Sequence, residues 1–169
     1  MRHIARSFPP VTAEYPRVLI LGSMPGIKSL EAGQYYAHPQ NAFWKILSAL
    51  FDMPAADYAQ RLRIITQNHL ALWDVLQYCE RTGSLDAAID NATIQVNDFA
   101  GFLAAHPTIT HVYLNGAKAA QEFTRRAWPT LPPDIAARLT VIALPSTSPA
   151  HASIKFDAKL SAWRQIKMA

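Results

Sequence analysis

The side chains best suited to chemistry are concentrated in residues 35–44, which read YYAHPQNAFW. Flat aromatic rings beside hydrogen-bonding side chains suit a nucleic-acid base that has left its stack and is held on a ring. A loop with buried aromatic side chains is the plainer interpretation, and a lone histidine such as His38 is more often structural than catalytic. The segment is the first candidate site.

Two further segments place polar groups directly after an apolar run. The turn Gly22-Ser23-Met24-Pro25-Gly26 follows VLIL, and it matches neither the dinucleotide fingerprint G-x-G-x-x-G nor a P-loop nor G-x-S-x-G. The sequence LPSTSPAH occupies residues 144–151, where prolines stiffen the backbone and hydroxyls with free N–H groups can hold a phosphate. Taken alone, each segment is equally consistent with an ordinary turn.

The elements that would position these segments alternate between strand and helix. Strands are expected at 17–22, 70–76, 110–115 and 139–144, and helices at 41–51, 55–68, 98–105, 117–128 and from 153 onwards. Such alternation implies parallel pairing through right-handed crossovers. The predicted fold class is α/β, with three α/β/α layers and a small four-stranded parallel sheet flanked by helices. Residues 80–97 are expected to form loops and short turns.

The composition fits one domain over residues 1–169, with the proline-containing residues 1–16 as an extended N-terminal lead-in. Half of the residues are hydrophobic and 17% are charged, which excludes a disordered chain. The formal net charge of +4 is compatible with a phosphate-bearing partner but does not establish one. The single Cys79 excludes an internal disulfide and a Cys-rich metal site. With no apolar run of about 20 residues and no secretory signal, a cytoplasmic location is expected.

In this order and spacing, the GSMPG turn, the YYAHPQNAFWK segment and the LPSTSPAHA loop resemble the uracil-DNA glycosylase superfamily. The likeness is strongest to its hypoxanthine-DNA glycosylase, or deoxyinosine glycosylase, branch. The mismatch-specific uracil/thymine branch carries G-x-N-P-G, H-P-A-N-R-F-W and N-P-S-G in the corresponding places. The resemblance spans nearly the whole chain, from Arg17 to the last helix. It implies a uracil-DNA glycosylase-like fold and a base-flipping enzyme of base-excision repair that hydrolyses the N-glycosidic bond of a deaminated base, hypoxanthine first.

The resemblance also implies roles for individual residues. Ser23 is taken to stand where related branches carry a water-activating Asn or Asp, while the catalytic asparagine of the hypoxanthine branch comes from the H-P-x-N segment, here Asn41. Because an amide is a poor base, Asn41 should position the attacking water rather than deprotonate it. Tyr36 should stack on the flipped base. The remaining base pocket is expected to comprise Gly22, Met24, Pro25, Gly26, His38 and Asn115, and the DNA contacts Ser146, Thr147, Ser148, Pro149, Ala150, His151 and Lys118.

The predicted reaction needs no metal and no cofactor. We expect a monofunctional, monomeric enzyme whose partner is DNA containing a deaminated base, with no membrane partner. Three alternatives stay open: a uracil or mismatch-specific DNA glycosylase, a catalytically inactive module that binds damaged DNA, and an unrelated α/β hydrolase. The last would use Ser23 or Ser146 as nucleophile, but no matching His/Asp spacing supports it.

Overall fold

Eight strands and eight helices build the protein, and the computed structural model describes all 169 residues. The strands are β1 Arg2–Arg6, β2 Val11–Thr12, β3 Val18–Gly22, β4 Leu70–Asp74, β5 Leu76–Thr82, β6 Ile89–Val96, β7 His111–Asn115 and β8 Thr140–Leu144. The helices are α1 Ile27–Ala32, α2 Phe43–Phe51, α3 Tyr58–Gln67, α4 Phe99–Ala105, α5 Ala117–Glu122, α6 Pro133–Arg138, α7 Phe156–Trp163 and α8 Gln165–Met168. None of the helices combines the length and the apolar character needed to cross a bilayer.

The main sheet has five strands in the order β2-β4-β3-β7-β8. Strands β4, β3, β7 and β8 run parallel, and the two-residue strand β2 adds an antiparallel edge. The register pairs Gly22 with Asp74 and Asn115 with Leu144, so the carboxyl ends of the four parallel strands lie along one edge. This confirms the predicted four-stranded parallel sheet.

Helices cover both faces of this sheet because its central strand is apolar on both sides. All five residues of β3 are buried. Leu19 and Leu21 enter a core formed with α4, α5 and α6, whereas Val18 and Ile20 enter a second core formed with α2, α3, α7 and α8. Burial on both faces explains why the strand reads as a continuous apolar run. The predicted three-layer α/β/α arrangement is confirmed.

A second, three-stranded sheet in the order β1-β5-β6 was not expected from the sequence. The prediction of loops and short turns at residues 80–97 is wrong, since β5 and β6 pair antiparallel there with two register shifts around Tyr78. The N-terminal residues supply β1, which pairs with β5 from Arg2 opposite Thr82 to Arg6 opposite Tyr78. The sequence pattern of β5 did not indicate a strand, because a charged residue, Arg81, occupies one of its fully buried positions.

Helices α2 and α3 begin at Phe43 and Tyr58 rather than at the predicted residues 41 and 55, and α1 and α6 were not expected. Two further helix boundaries also differ from the sequence prediction. The helix expected over 117–128 ends at Glu122 and continues as a π-helical turn, Phe123–Ala127. The last long helix begins after Lys155 rather than at the predicted Ser153. Neither change moves a strand end, so the edge at which the loops meet is unaffected.

Candidate active site

A cleft of about 550 Å³ opens at the carboxyl edge of the parallel strands. Its volume lies within the range of small-molecule and cofactor pockets, roughly 300–1,000 Å³. The loops that follow β3 and β8 line it, together with Asn115 at the end of β7 and with Tyr36, His38 and Asn41. Of the predicted site residues only Lys118 lies elsewhere; those lining the cleft are Gly22, Ser23, Met24, Pro25, Gly26, Tyr36, His38, Asn41, Asn115, Ser146, Thr147, Ser148, Pro149, Ala150 and His151.

The turn after β3 forms one wall of the cleft and is held by two contacts from the small sheet and its loop. The Arg81 guanidinium donates a hydrogen bond to the Pro25 carbonyl oxygen. The Ser23 hydroxyl donates to Asp86 Oδ1 at 2.6 Å. Ser23 therefore has an acceptor within the protein. When GSMPG is aligned with G-x-N-P-G, the asparagine of the second motif corresponds to the apolar Met24 and not to Ser23. The assignment of Ser23 to the asparagine position therefore needs correction.

Tyr36 is fixed in place by its backbone, by stacking and by a hydrogen bond. Its φ of 54° lies in the left-handed region, which is uncommon for a residue other than glycine. The ring stacks on Phe43 with centroids 4.0 Å apart, and its hydroxyl oxygen accepts a hydrogen bond from Asn115 Nδ2 at 3.1 Å. Burial raises the pKa of the hydroxyl, and the charge of Asp74 raises it further. The cleft therefore contains a fixed, neutral aromatic ring.

Asn115 ties the loop after β8 to the end of β7. Its Nδ2 donates to Thr147 Oγ1 at 3.0 Å, and its Oδ1 accepts from the Thr147 backbone N–H at 3.0 Å. The Thr147 carbonyl in turn accepts from the Ala42 backbone N–H at 3.0 Å. Because both donors and the acceptor of its amide have protein partners, Asn115 organises the cleft through neighbouring residues.

Asn41 lines the cleft just before α2 begins. Its Oδ1 accepts a hydrogen bond from the Phe43 backbone N–H at 3.0 Å, and its own N–H donates to the His38 carbonyl at 3.0 Å. The carbonyl oxygen of the side chain retains a second lone pair. Ala42 is the N-cap residue of α2, so Asn41 lies one position before the helix rather than at its start. The role of Asn41 in holding the water stays a prediction.

A buried carboxyl group that sequence reasoning missed lies at the end of β4. Asp74 lines the cleft, is only 3% exposed, and its Oδ2 has no hydrogen-bond partner. Burial and the charge of Asp86 raise its pKa to about 7, although the Arg81 charge acts in the opposite direction. The sequence did carry a signal, since Asp74 is the only charged residue of the strand predicted over 70–76, which ends at the same edge as Gly22.

The connection between β5 and β6 supplies a further wall that was also missed. Ser84 Oγ accepts from the Ile27 backbone N–H at 2.8 Å, and Asp86 begins a 3₁₀ turn over Asp86–Ala88. Both residues line the cleft. The sequence offered no signal for them because the strands that carry this connection were not recognised.

Lys118 lies outside the cleft because its ammonium group is bound elsewhere. It donates to Glu122 Oε1 at 3.1 Å and to Asn91 Oδ1 at 2.6 Å. The serine-nucleophile alternative also lacks its partners. Ser23 donates to Asp86, and Ser146 Oγ accepts from the Ser148 backbone N–H, so neither hydroxyl is hydrogen-bonded to a histidine.

The fold and cleft define a class of protein: an α/β fold whose site lies at the carboxyl edge of parallel strands. Residues 9–167 match the family described as the uracil DNA glycosylase superfamily, and the chain belongs to that superfamily. This confirms the predicted family and the predicted class of enzyme, a DNA glycosylase.

Two named relatives and one solved structure are similar to this chain over most of its length. The hypoxanthine DNA glycosylase of Methanosarcina barkeri is 36% identical over 118 residues, which cover 69% of this chain and 73% of the relative. That of Methanosarcina acetivorans is 35% identical over 120 residues, covering 70% and 75%. A solution NMR structure of a candidate uracil DNA glycosylase from Methanosarcina acetivorans superposes with a TM-score of 0.77 at 30% identity, covering 98% of this chain and 97% of that one.

Proposed function

We propose that the protein is a monofunctional DNA glycosylase that hydrolyses the N-glycosidic bond of deoxyinosine in DNA and releases hypoxanthine. The observation that carries the proposal is the cleft in which Tyr36, Asn41 and the loop at Ser146–Ser148 lie together. The two Methanosarcina relatives named hypoxanthine DNA glycosylase support the choice of base. In this proposal the enzyme acts as a monomer.

The reaction exchanges one bond at the sugar for another. A water oxygen bonds to C1′ of the flipped nucleotide, and the C1′–N9 bond breaks with its electron pair passing to the base. The water proton neutralises the departing hypoxanthine. Because the transition state resembles an oxocarbenium ion, as in glycoside hydrolysis, the protein acts mainly by positioning and by stabilising charge.

Two residues carry the positioning steps. Tyr36 presents a ring already fixed on Phe43, on which the flipped base stacks. Asn41 directs the free lone pair of its side-chain carbonyl to the attacking water. An amide holds such a water without fully deprotonating it.

The hydroxyls of the loop after β8 are oriented to donate. Thr147 Oγ1 accepts from Asn115, Ser146 Oγ accepts from the Ser148 N–H at 3.1 Å, and Ser148 Oγ accepts from the Ala150 N–H at 3.3 Å. A hydroxyl whose oxygen already accepts a hydrogen bond still has its own proton to donate. The protons of Ser146 and Ser148 suit the phosphates that flank the lesion, whereas Thr147 is only 1% exposed and holds the loop in place.

Base release from matched oligonucleotides tests the proposal. Substrates of one sequence carry deoxyinosine, deoxyxanthosine or deoxyuridine, and free base is measured for the wild type, Asn41→Ala and Gln40→Ala. Gln40 is exposed and lies next to Asn41, but outside the cleft, so its variant is the matched control. We expect hypoxanthine release that Gln40→Ala preserves and Asn41→Ala lowers about 100-fold or more.

The other outcomes separate the alternatives. Release of uracil but not hypoxanthine would select the uracil or mismatch-specific enzyme. Tight binding of deoxyinosine DNA without release of any base would select an inactive damage-binding module. Near-full activity of Asn41→Ala would remove Asn41 from the mechanism while leaving the substrate assignment intact.

A further inference from the structure

The carboxyl group of Asp74 lines the cleft but has no role in the reaction described above. A Cβ placed on Gly22 would lie 2.6 Å from Asp74 Oδ1 and 2.7 Å from the Tyr36 hydroxyl. The carboxyl group and the stacking ring therefore converge on the same point of the turn after β3. A base that stacks on Tyr36 with its edge turned toward the hydroxyl end of the ring would reach Asp74.

The carboxyl group of Asp74 is unusual because it is buried and one of its oxygens has no hydrogen-bond partner. Asp74 is 3% exposed, and its Oδ2 has no partner among the protein groups. A buried polar atom without a hydrogen bond typically costs about 1–3 kcal/mol, and native proteins carry few of them. The nearby amide of Asn115 cannot satisfy it, since that amide is fully engaged by Tyr36 and Thr147. An unpaired, buried oxygen in a residue that lines the cleft indicates that a ligand supplies its hydrogen-bond partner.

Four titratable or charged groups influence Asp74. Asp86 approaches from the 3₁₀ turn after β5, Arg81 from β5 itself, and Tyr35 and Tyr36 from the segment after α1. Burial and Asp86 favour the neutral acid, Arg81 favours the carboxylate, and the resulting pKa is about 7. Near neutral pH a large share of Asp74 is therefore protonated and can both donate and accept a hydrogen bond.

We infer that Asp74, as a neutral carboxylic acid, binds the lactam edge of the flipped base, donating its O–H to O6 of hypoxanthine and accepting N1–H with its other oxygen. The inference rests on the proposed function and identifies a base-contacting residue of the same site. A carboxylate would accept N1–H but repel O6. Adenine could also form two hydrogen bonds with a neutral carboxylic acid. The contact is therefore expected to strengthen base binding and to set an upper pH limit, but not to exclude adenine.

The test compares Asp74→Asn with Asp74→Ala. An amide keeps one donor and one acceptor at every pH, whereas alanine keeps neither. We expect kcat/KM of the wild type on deoxyinosine DNA to fall above about pH 7, reaching about 100-fold lower near pH 9, because kcat/KM follows the ionisation of the free enzyme. Asp74→Asn should stay within about tenfold of the wild type at pH 6–7 and lose the alkaline fall, while Asp74→Ala should drop about 10- to 100-fold.

A matched control is Asp134→Asn, an exposed carboxylate in the first turn of α6 that should leave both activity and pH profile unchanged. Thermal unfolding of each variant separates loss of activity from loss of folding. If Asp74→Asn is as inactive as Asp74→Ala while folded, the charge itself is required and the inference is overturned. A wild-type profile that stays flat to pH 9 overturns it equally.

A binding measurement keeps this inference distinguishable from the proposed function. Affinity for deoxyinosine DNA over an undamaged duplex is measured from pH 6 to 9 by fluorescence anisotropy. One outcome is that no base is released, while the preference for deoxyinosine DNA weakens above about pH 7 in the wild type but not in Asp74→Asn. That outcome overturns the proposed function and supports the role of Asp74. Release with flat profiles overturns the role of Asp74 alone, and neither release nor a pH-dependent preference overturns both.

Discussion

Gly22→Ala is the smallest change that tests the geometry of the cleft. The added methyl carbon would lie 2.6 Å from Asp74 Oδ1 and 2.7 Å from the Tyr36 hydroxyl, whereas ordinary contact begins near 3.4 Å. The backbone of Gly22 itself is extended β-strand and has no positive φ, so the cost arises from lack of space alone. Either Asp74 or Tyr36 must move.

Neither neighbour can move freely. Tyr36 is held by its stack on Phe43 and by its hydrogen bond from Asn115, and Asp74 has a short side chain that is almost fully buried. Forcing one extra methyl group into such packing typically costs about 1–3 kcal/mol. For a chain of this length that predicts a melting temperature lower by roughly 2–12 °C. Base release should fall more steeply, because the shifted ring and carboxyl group are the surfaces proposed to meet the base.

Thermal unfolding and base release from deoxyinosine DNA measure the two effects, and Gly26→Ala is the matched control. In that variant the added carbon would meet only Ser84, at 3.4 Å, and the residue has no positive φ. We expect Gly26→Ala to melt much like the wild type, which makes it the control for the thermal measurement. A Gly22→Ala protein with wild-type melting and wild-type activity would refute the close approach on which this reasoning depends.

Two further predictions concern buried polar groups. Burial alone would raise the pKa of Glu122, but hydrogen bonds and charges from Lys118 and Arg126 outweigh it and lower the pKa below its ordinary value of 4.5. Its ionised form therefore stabilises the fold above about pH 4.5, and this contribution is lost as the pH falls through the lower folded-state pKa. Glu122→Gln should melt lower at pH 7 yet lose less between about pH 5 and 3, and an unchanged acid limb in thermal unfolding would contradict this. Asn115→Ala removes both hydrogen bonds to Thr147, and each polar group left unpaired costs about 1–3 kcal/mol. The melting temperature and the affinity for deoxyinosine DNA should therefore both fall. An unchanged affinity, measured by fluorescence anisotropy, would contradict the role of Asn115 in holding the loop.

The central strands of the main sheet were predictable because they are buried on both faces. The edge strand β8 is largely exposed, but its apolar run 141–144 still indicates a strand. Val18–Leu21 is apolar at every position, and the strands ending at Asn115 and Leu144 carry polar turns directly behind apolar runs. Such a pattern depends little on the rest of the fold. The same logic placed the carboxyl ends of β3, β7 and β8 at one edge. The loops after β3 and β8 line the cleft, and β7 contributes its last residue, Asn115.

The small sheet was not predictable, because its strands do not alternate cleanly. In β5 the buried positions include Arg81, and the pairing with β6 shifts register twice near Tyr78. In β1 only Ala5 is buried. The position of Asp74 at the edge of the main sheet could have been read from the sequence. Its raised pKa could not, because its charged neighbours Arg81 and Asp86 lie on the small sheet and its loop.

The fixed ring of Tyr36 has a thermodynamic consequence. Its backbone at φ 54°, its stack on Phe43 and its hydrogen bond from Asn115 leave the side chain little rotational freedom before any ligand arrives. Binding is then spared the entropy loss of about 0.5–1.5 kcal/mol that ordering a mobile side chain entails. The left-handed backbone itself costs roughly 1–2 kcal/mol, and that cost falls on folding. The protein thus gives up part of its folding stability so that its aromatic surface is ordered before a base reaches it.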